Sequence, residues 1–417
     1  MYIQNYHFNG NIANMYYNNE RKITYTITEC IIVIRKWLIL ISLLIFSQTI
    51  WIHSVNANQT DLQLKTDSSI LMEATTGSIL YEHNSKQIKY PASVTKIATA
   101  IYAIENANLD DIVTVSENAR YVAGTRVYLE AGEQVTLEKL LYGLMINSGN
   151  DAAVAIAEHI SGTEEQFASN LTNYLIEKTG IQNTNFTNSS GLFDTNHYST
   201  AYDLARIVQY AMKNETFMKF FNAKELRWIG QSWDTTIVSH HRLVNGEIPY
   251  EGITGGKNGY VPQSRYTLAT TAKRDNMQLI ATTLGGNKND IYNDPTKLFN
   301  YGFGSFHEVI INPNTTYTLN DRMYSNTDPI HFYIHNEQSH TTKIKDGGEL
   351  LILNNLGKTI KELQIQDVTP KPTMQSIEVS MSAIEPALYN EETPNNNIIA
   401  SLLIVIFISI YLFSRIR

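Results

Sequence analysis

Two strand-like stretches lie far apart in this chain, and a long run of helical periodicity separates them. Residues 69–80 read as a hairpin, with apolar runs on either side of Thr75-Thr76-Gly77. A second hairpin is expected where Tyr266–Lys273 and Met277–Leu284 are joined by Arg274-Asp275-Asn276. Between them the spacing predicts helices over Ala92–Asn106, Leu137–Met145, Ala152–His159, Ala168–Lys178 and Ala201–Lys213. Pro91 suits the first turn of the first helix. Gly162 closes the third, and Gly180 is a C-cap candidate for the fourth. This order implies an α+β domain whose sheet is completed late in the chain. After Phe303 no helix is evident. Short alternating runs, such as Glu308–Ile311 and Glu349–Leu353, are broken by Asn, Pro and Gly. They imply a small β-rich domain over residues 305–389, after a first domain over 58–304.

The two ends carry addresses rather than core. Arg35-Lys36 precedes an apolar run from Trp37 to Ile52, and Val55-Asn56-Ala57 follows. Positive flank, apolar segment and small-residue exit are the parts of a secretory signal, so residues 1–57 read as leader and signal peptide. An uncleaved anchor helix is the alternative. Near the other end, a polar spacer at 390–397 leads into the apolar run Ile398–Phe413, with Arg415 and Arg417 behind it. A transmembrane anchor is expected over 398–414, with residues 415–417 as a cytoplasmic tail. The bulk of the chain is then held outside the cytoplasmic membrane.

Composition narrows the chemistry. The 417 residues carry a formal net charge of -8 and no long basic stripe, which argues against nucleic acid as a partner. The single cysteine, Cys30, lies before the expected signal, so an exported form has no disulfide and no thiol nucleophile. The histidines are scattered, and no metal site or other cofactor is expected.

Three short motifs remain. In Ser93-Val94-Thr95-Lys96 the serine and lysine fall three apart on a helix, on one face. A serine hydroxyl becomes a nucleophile when a base takes its proton. A lysine is such a base when burial or neighbouring positive charge lowers its pKa. Ser148-Gly149-Asn150-Asp151, between two helices, can project a hydroxyl and an amide into a cleft. Lys257-Asn258-Gly259-Tyr260, just before the late hairpin, offers a cation and an unobstructed backbone to a carboxylate. Singly each is weak. About one or two chance Ser-x-x-Lys matches are expected in such a length, and Ser54-Val55-Asn56 and Ser116-Glu117-Asn118 match the second pattern.

Together, in this order, the motifs resemble the serine penicillin-recognising enzymes, whose signature is Ser-x-x-Lys, Ser-x-Asn and Lys-Thr-Gly. The likeness is strongest to the low-molecular-mass D-alanyl-D-alanine carboxypeptidases, the S11-type peptidases. It extends to Asn188-Ser189-Ser190-Gly191-Leu192 and to His197 through Leu204, and covers roughly residues 66–303. The resemblance implies a transpeptidase/β-lactamase-like fold, peptidoglycan stems ending in D-Ala-D-Ala as substrate, and covalent capture of β-lactams. It also implies roles. Ser93 would be the nucleophile, Lys96 its base, and Ser148 a proton relay. Asn150 would hold the substrate amide and Lys257 its carboxylate. The N–H groups of Ser93 and Tyr260 would form the oxyanion hole, with Gly259 between Tyr260 and Asn258.

One departure stands out: Asn258 occupies the place of a Thr or Ser whose hydroxyl binds the substrate carboxylate. It motivates the alternative of a wall-peptide-binding protein with impaired catalysis. A β-lactamase on the same fold is disfavoured, because no Glu-x-x-Leu-Asn occurs. Lys178-Thr179-Gly180 matches the third motif literally, but it falls at a helix end with no hairpin after it, so a capping role is expected. Asp151 reads as a helix N-terminal acid, and His197 as a residue that fixes a loop.

Overall fold

The structure is a computed structural model, and it describes residue 35 and residues 61–370. The expected leader and signal peptide, the end of the β-rich domain, the spacer, the membrane anchor and the tail lie outside the described residues.

The early hairpin forms from β1, Ser68–Glu73, and β2, Ile79–His83, with Gly77 at φ +73° in its turn. Helices α1 to α7 follow: Thr95–Asn106, Glu117–Tyr121, Leu137–Ile146, Asn150–Ser161, Glu164–Thr179, Ala201–Ala211 and Glu215–Phe221. Threonines start three of them. Thr136, Thr163 and Thr200 accept hydrogen bonds from the backbone N–H of Lys139, Gln166 and Asp203, satisfying donors that the first turn leaves open. Gly180 ends α5 in the left-handed conformation, φ +69°, as its sequence position implied.

Two small ribbons interrupt the helices: β3, Ile112–Thr114, with β4, Gln134–Thr136, and β5, Glu225–Ile229, with β6, Asp234–Val238. Neither ribbon is among the elements expected from the sequence, and the second shows why. Its strands show an exposed–buried alternation over only five residues each, too short to stand out beside the helical periods.

Three late strands then complete the sheet: β7, Ile253–Val261, β8, Arg265–Arg274, and β9, Met277–Gly286. The order is β2-β1-β9-β8-β7, antiparallel throughout. β9 pairs with β1 from Ser68↔Leu284 to Glu73↔Leu279, so the hairpin made first accepts the strand made last. β7 is left as an edge strand. The main core lies between this sheet and the helices, where Ile70, Val94, Ile101, Leu140, Ala153, Phe167, Leu204 and Ile280 are buried together.

Helix α8, Asp290–Ser305, covers the opposite face of the sheet and escaped the sequence reading. Its sequence holds Asn, Asp, Gly and an internal Pro295, all poor helix formers. Packing overrides that propensity. Leu298 and Phe299 are fully buried against Leu71, Leu279 and Ala281. Buried Asp294 accepts hydrogen bonds from the backbone N–H of Lys65 and Thr66, 2.7 and 2.8 Å, and from the Thr66 hydroxyl.

Beyond α8 the described chain holds strands joined by turns, and no helix. Phe306–Ile311 pairs with Ile330–His335, and Glu349–Asn354 lies between His340–Ile344 and Thr359–Gln364. Tyr324, Phe332, Leu350, Ile352 and Ile365 form a separate small core there. Among the described residues no helix is long and apolar enough to cross a membrane.

Phe299→Ala removes a buried aromatic ring from the layer that joins α8 to the sheet. It is expected to lower unfolding free energy by about 3–5 kcal/mol, measured by urea denaturation. A loss under about 1 kcal/mol would contradict this packing.

Candidate active site

Ser93 sits in a 3₁₀ turn, Ala92–Val94, that runs directly into α1. The expected helix thus begins three residues later than its periodicity implied. Ala92 adopts φ +48°, a left-handed conformation that a non-glycine residue rarely takes. Three contacts hold the turn. Thr267 on β8 donates its hydroxyl to Pro91 O at 2.9 Å. Gly191 presses against the Ala92 carbonyl so closely that a Cβ there would lie 1.9 Å from its oxygen. On β7, a Cβ on Gly259 would lie 2.6 Å from Ser93 N. Gly259 therefore lets the edge strand run directly beside the nucleophile turn.

Lys96, one turn along α1, is fully buried. Its Nζ lies 3.1 Å from Ser93 Oγ, 2.7 Å from Asn150 Oδ1 and 2.6 Å from Ser190 O. No carboxylate is among these contacts. Burial first, and then the positive charge of Lys257, hold the amine well below the ordinary lysine range. The contact set suits the neutral form. A neutral amine has two N–H donors and one lone pair. Two of its neighbours are carbonyl oxygens that only accept, and the third is a hydroxyl that can donate. In that form the lone pair can accept from the Ser93 hydroxyl, 3.1 Å away.

The second motif is bolted to the loop before it. Ser148 turns the chain at φ +60° between α3 and α4. Asn147 Nδ2 donates to Arg126 O at 2.8 Å, and Asn150 Nδ2 to Ala123 O at 2.6 Å. Buried Asp151 accepts from Val127 N and Leu129 N at 3.0 and 3.1 Å, and from Ala152 N at 2.9 Å. It clamps residues 127–129 against the start of α4. Asn150 is shared: its Oδ1 accepts from Lys96 while its amide nitrogen is held by the loop. A remaining Oδ1 lone pair is left for a substrate N–H.

Lys257 is buried on β7, and its Nζ donates to Asn258 O at 2.8 Å, which uses one of three donors. Burial pushes this amine down to about 7. Asn258 is half-buried, and Tyr260 is 55% exposed at the rim, where its ring lies 4.6 Å from that of Tyr266. The structure thus gathers the three motifs, carried by α1, the α3–α4 turn and the edge of the sheet.

His197 lies behind Lys96. Its Nε2 is 2.8 Å from Thr95 Oγ1, and its Nδ1 accepts from Thr187 N at 3.1 Å. Burial holds it neutral, down to about 4, so it ties the 185–198 segment to α1. Ser190, the carbonyl partner of Lys96, is not among the residues the sequence motifs single out. Its signal was the Asn188–Leu192 stretch, which had carried a family likeness but no assigned role. Lys178-Thr179-Gly180 closes α5. Among the described residues no group of His, Cys, Asp and Glu is placed to hold a metal ion.

Residues 54–288 match the Peptidase S11 family, D-alanyl-D-alanine carboxypeptidase. The chain belongs to this family. It is similar to the D-alanyl-D-alanine carboxypeptidase DacF of Bacillus subtilis, 35% identical over 64% of this chain and 70% of that one. It is also similar to DacA of Haemophilus influenzae, 32% identical over 58% of this chain and 63% of that one. Penicillin binding protein 5 from Haemophilus influenzae superposes with TM-score 0.64 at 25% identity, covering 73% of this chain and 97% of that one. A mutant of the Streptomyces K15 DD-transpeptidase superposes with TM-score 0.54 at 30% identity, over 58% of this chain and 98% of that one.

Gly259→Ala would force β7 away from Ser93. A misplacement of this kind is expected to slow acylation of Ser93 by a fluorescent penicillin about 10²-fold in a protein that keeps its circular dichroism spectrum. An unchanged labelling rate would show that the close approach is dispensable.

Proposed function

We propose that this chain is a serine D,D-carboxypeptidase that removes the terminal D-alanine from peptidoglycan stems. The observation that carries this reading is the contact set of Lys96: a buried amine, without a carboxylate, 3.1 Å from Ser93 Oγ. Lys96 takes the Ser93 proton as Oγ attacks the carbonyl of the D-Ala-D-Ala bond. The oxyanion forms against the amides of Ser93 and Tyr260, each contributing about 3 kcal/mol to the transition state. Ser148 passes a proton to the leaving amine, and D-alanine departs. Water then attacks the ester and frees the shortened stem. Asn150 accepts the substrate amide N–H, and Lys257, with the Asn258 amide, binds the terminal carboxylate. A β-lactam follows the same first step and remains as the acyl-enzyme. The apolar run Ile398–Phe413, with Arg415 and Arg417 after it, supports attachment to the membrane with the catalytic part on the outer side.

The test uses the full-length purified chain in detergent. D-alanine release and a covalent penicillin band, both absent in Ser93→Ala, are expected. A band without D-alanine release would favour a binding protein, the reading that Asn258 motivates. Asn258→Thr is expected to raise kcat/KM about 3–10-fold, a change of about 1 kcal/mol. No change would mean that the amide replaces the hydroxyl fully.

The pH profile follows from the two lysines. Lys96 acts when neutral, so kcat/KM falls as pH drops through its depressed pKa. Lys257 acts when charged, so kcat/KM also falls as pH rises through about 7. A profile still rising above pH 9 would rule out a cationic Lys257.

A further inference from the structure

The carboxylate of Asp67 joins two stretches that flank the nucleophile turn, and no step above uses it. Asp67 stands directly before β1. Its Oδ2 lies 3.0 Å from Lys89 Nζ, and its Oδ1 lies 3.2 Å from Arg265 Nη1. Lys89 belongs to the lead-in to the 3₁₀ turn that carries Ser93. Arg265 opens β8, opposite Val261 at the end of β7. One carboxylate therefore links the segment that carries the nucleophile to the turn that ends the strand beside it.

Its place is fixed from several sides. Asn84, just after β2, donates its Nδ2 to Asp67 O at 3.0 Å. Gly285, near the end of β9 at φ +78°, runs flush against the carboxylate, and a Cβ there would lie 2.5 Å from Asp67 Oδ2. The Lys89 backbone is tied as well. Lys89 N donates to Ser199 O at 2.8 Å, and Ser199 N donates to Lys89 O at 2.9 Å. A second tie, from the Thr267 hydroxyl to Pro91 O, lies two residues further along both segments.

Arg265 carries a cost that its side chain accounts for. It sits at φ +58°, a left-handed conformation that glycine adopts freely and other residues rarely. The turn itself is closed by Ser264, which donates its N–H to Val261 O at 3.1 Å and accepts from Val261 N at 3.2 Å. Backbone strain kept beside a reactive group points to a use for the residue that bears it. Among the described residues the Arg265 guanidinium reaches one carboxylate, that of Asp67.

Ion pairs this open contribute little to stability, since the Asp67, Lys89 and Arg265 side chains are 39, 23 and 50% exposed. What they supply is alignment. Gly259 leaves so little room beside Ser93 N that a small shift of the β7–β8 turn against the lead-in would change the site.

We propose that Asp67 is a positioning residue for acylation, whose bridge to Lys89 and Arg265 holds the Ser93 turn in register with β7. The proposal rests on the acyl-enzyme reading and adds a group outside the three motifs. Asp67 acts on the rate at which a bound substrate acylates Ser93, and not on how tightly that substrate binds.

The test is saturation kinetics of labelling by a fluorescent penicillin, with the full-length chain in detergent. It separates the acylation rate constant from the binding constant. Asp67→Asn is expected to lower the rate constant about fivefold and to leave the binding constant within about twofold. Arg265→Gly removes the guanidinium and relieves the backbone. Its Tm is expected to stay within about 2 °C of wild type or to rise, while its acylation slows about threefold. The double variant is expected to be no slower than Asp67→Asn alone, because the two residues share one interaction. Raising salt from about 50 to about 500 mM should slow wild type toward Asp67→Asn and leave that variant unchanged. Acylation of Asp67→Asn at the wild-type rate overturns the proposal and leaves the carboxypeptidase reading intact. A loss confined to the binding constant overturns it too. So does a smaller labelled fraction at completion with an unchanged rate, because Asp67 then serves folding alone. No labelling of wild type overturns both readings.

Discussion

A lysine amine buried without a carboxylate is the constraint on which the rest of this site depends. In water its charge is free; in the interior it must be paired or be lost. Lys96 meets two carbonyl oxygens and one hydroxyl, and stands near a second buried lysine. Burial first, and then the Lys257 charge, outweigh the more distant carboxylates of Asp151 and Glu164 and favour the neutral amine. The helices and the sheet are arranged so that this group is dry and its lone pair has one place to go.

The supports come from distant parts of the chain. Asn150 belongs to α4 and is tied to the loop before it. Ser190 belongs to a segment that His197 fastens to α1. β7 is held at the site through β8 and β9, and β9 pairs with β1. Long-range pairing of this kind carries a loop-closure cost that local helices do not. The sheet is thus the non-local part of the fold and also the part that brings Lys257 and Gly259 to Ser93.

The edge position of β7 has a second use. An unpaired strand edge offers backbone groups to an extended peptide, which is how many proteins bind peptide segments. Next to it lies the nucleophile turn, against which Gly259 packs. One edge can therefore orient a stem peptide beside that turn.

Much of this was legible in the amino-acid order. The early hairpin, the helices on α1, α3, α4, α5 and α6, and the late strands follow from local periodicity and from Pro, Thr and Gly at their ends, because these act within a few residues. Ser93 and Lys96 share a helix face for the same reason. Helix α8 was illegible, since its own residues disfavour a helix and only burial of Leu298 and Phe299 makes one. So were the Ser190 carbonyl at Lys96 and the clamp that Asp151 makes on residues 127–129. These depend on which backbone atoms meet across long separations, and on burial that depresses an amine pKa. Neither is a property of any short stretch of sequence; both appear only when the sheet has closed around the helices.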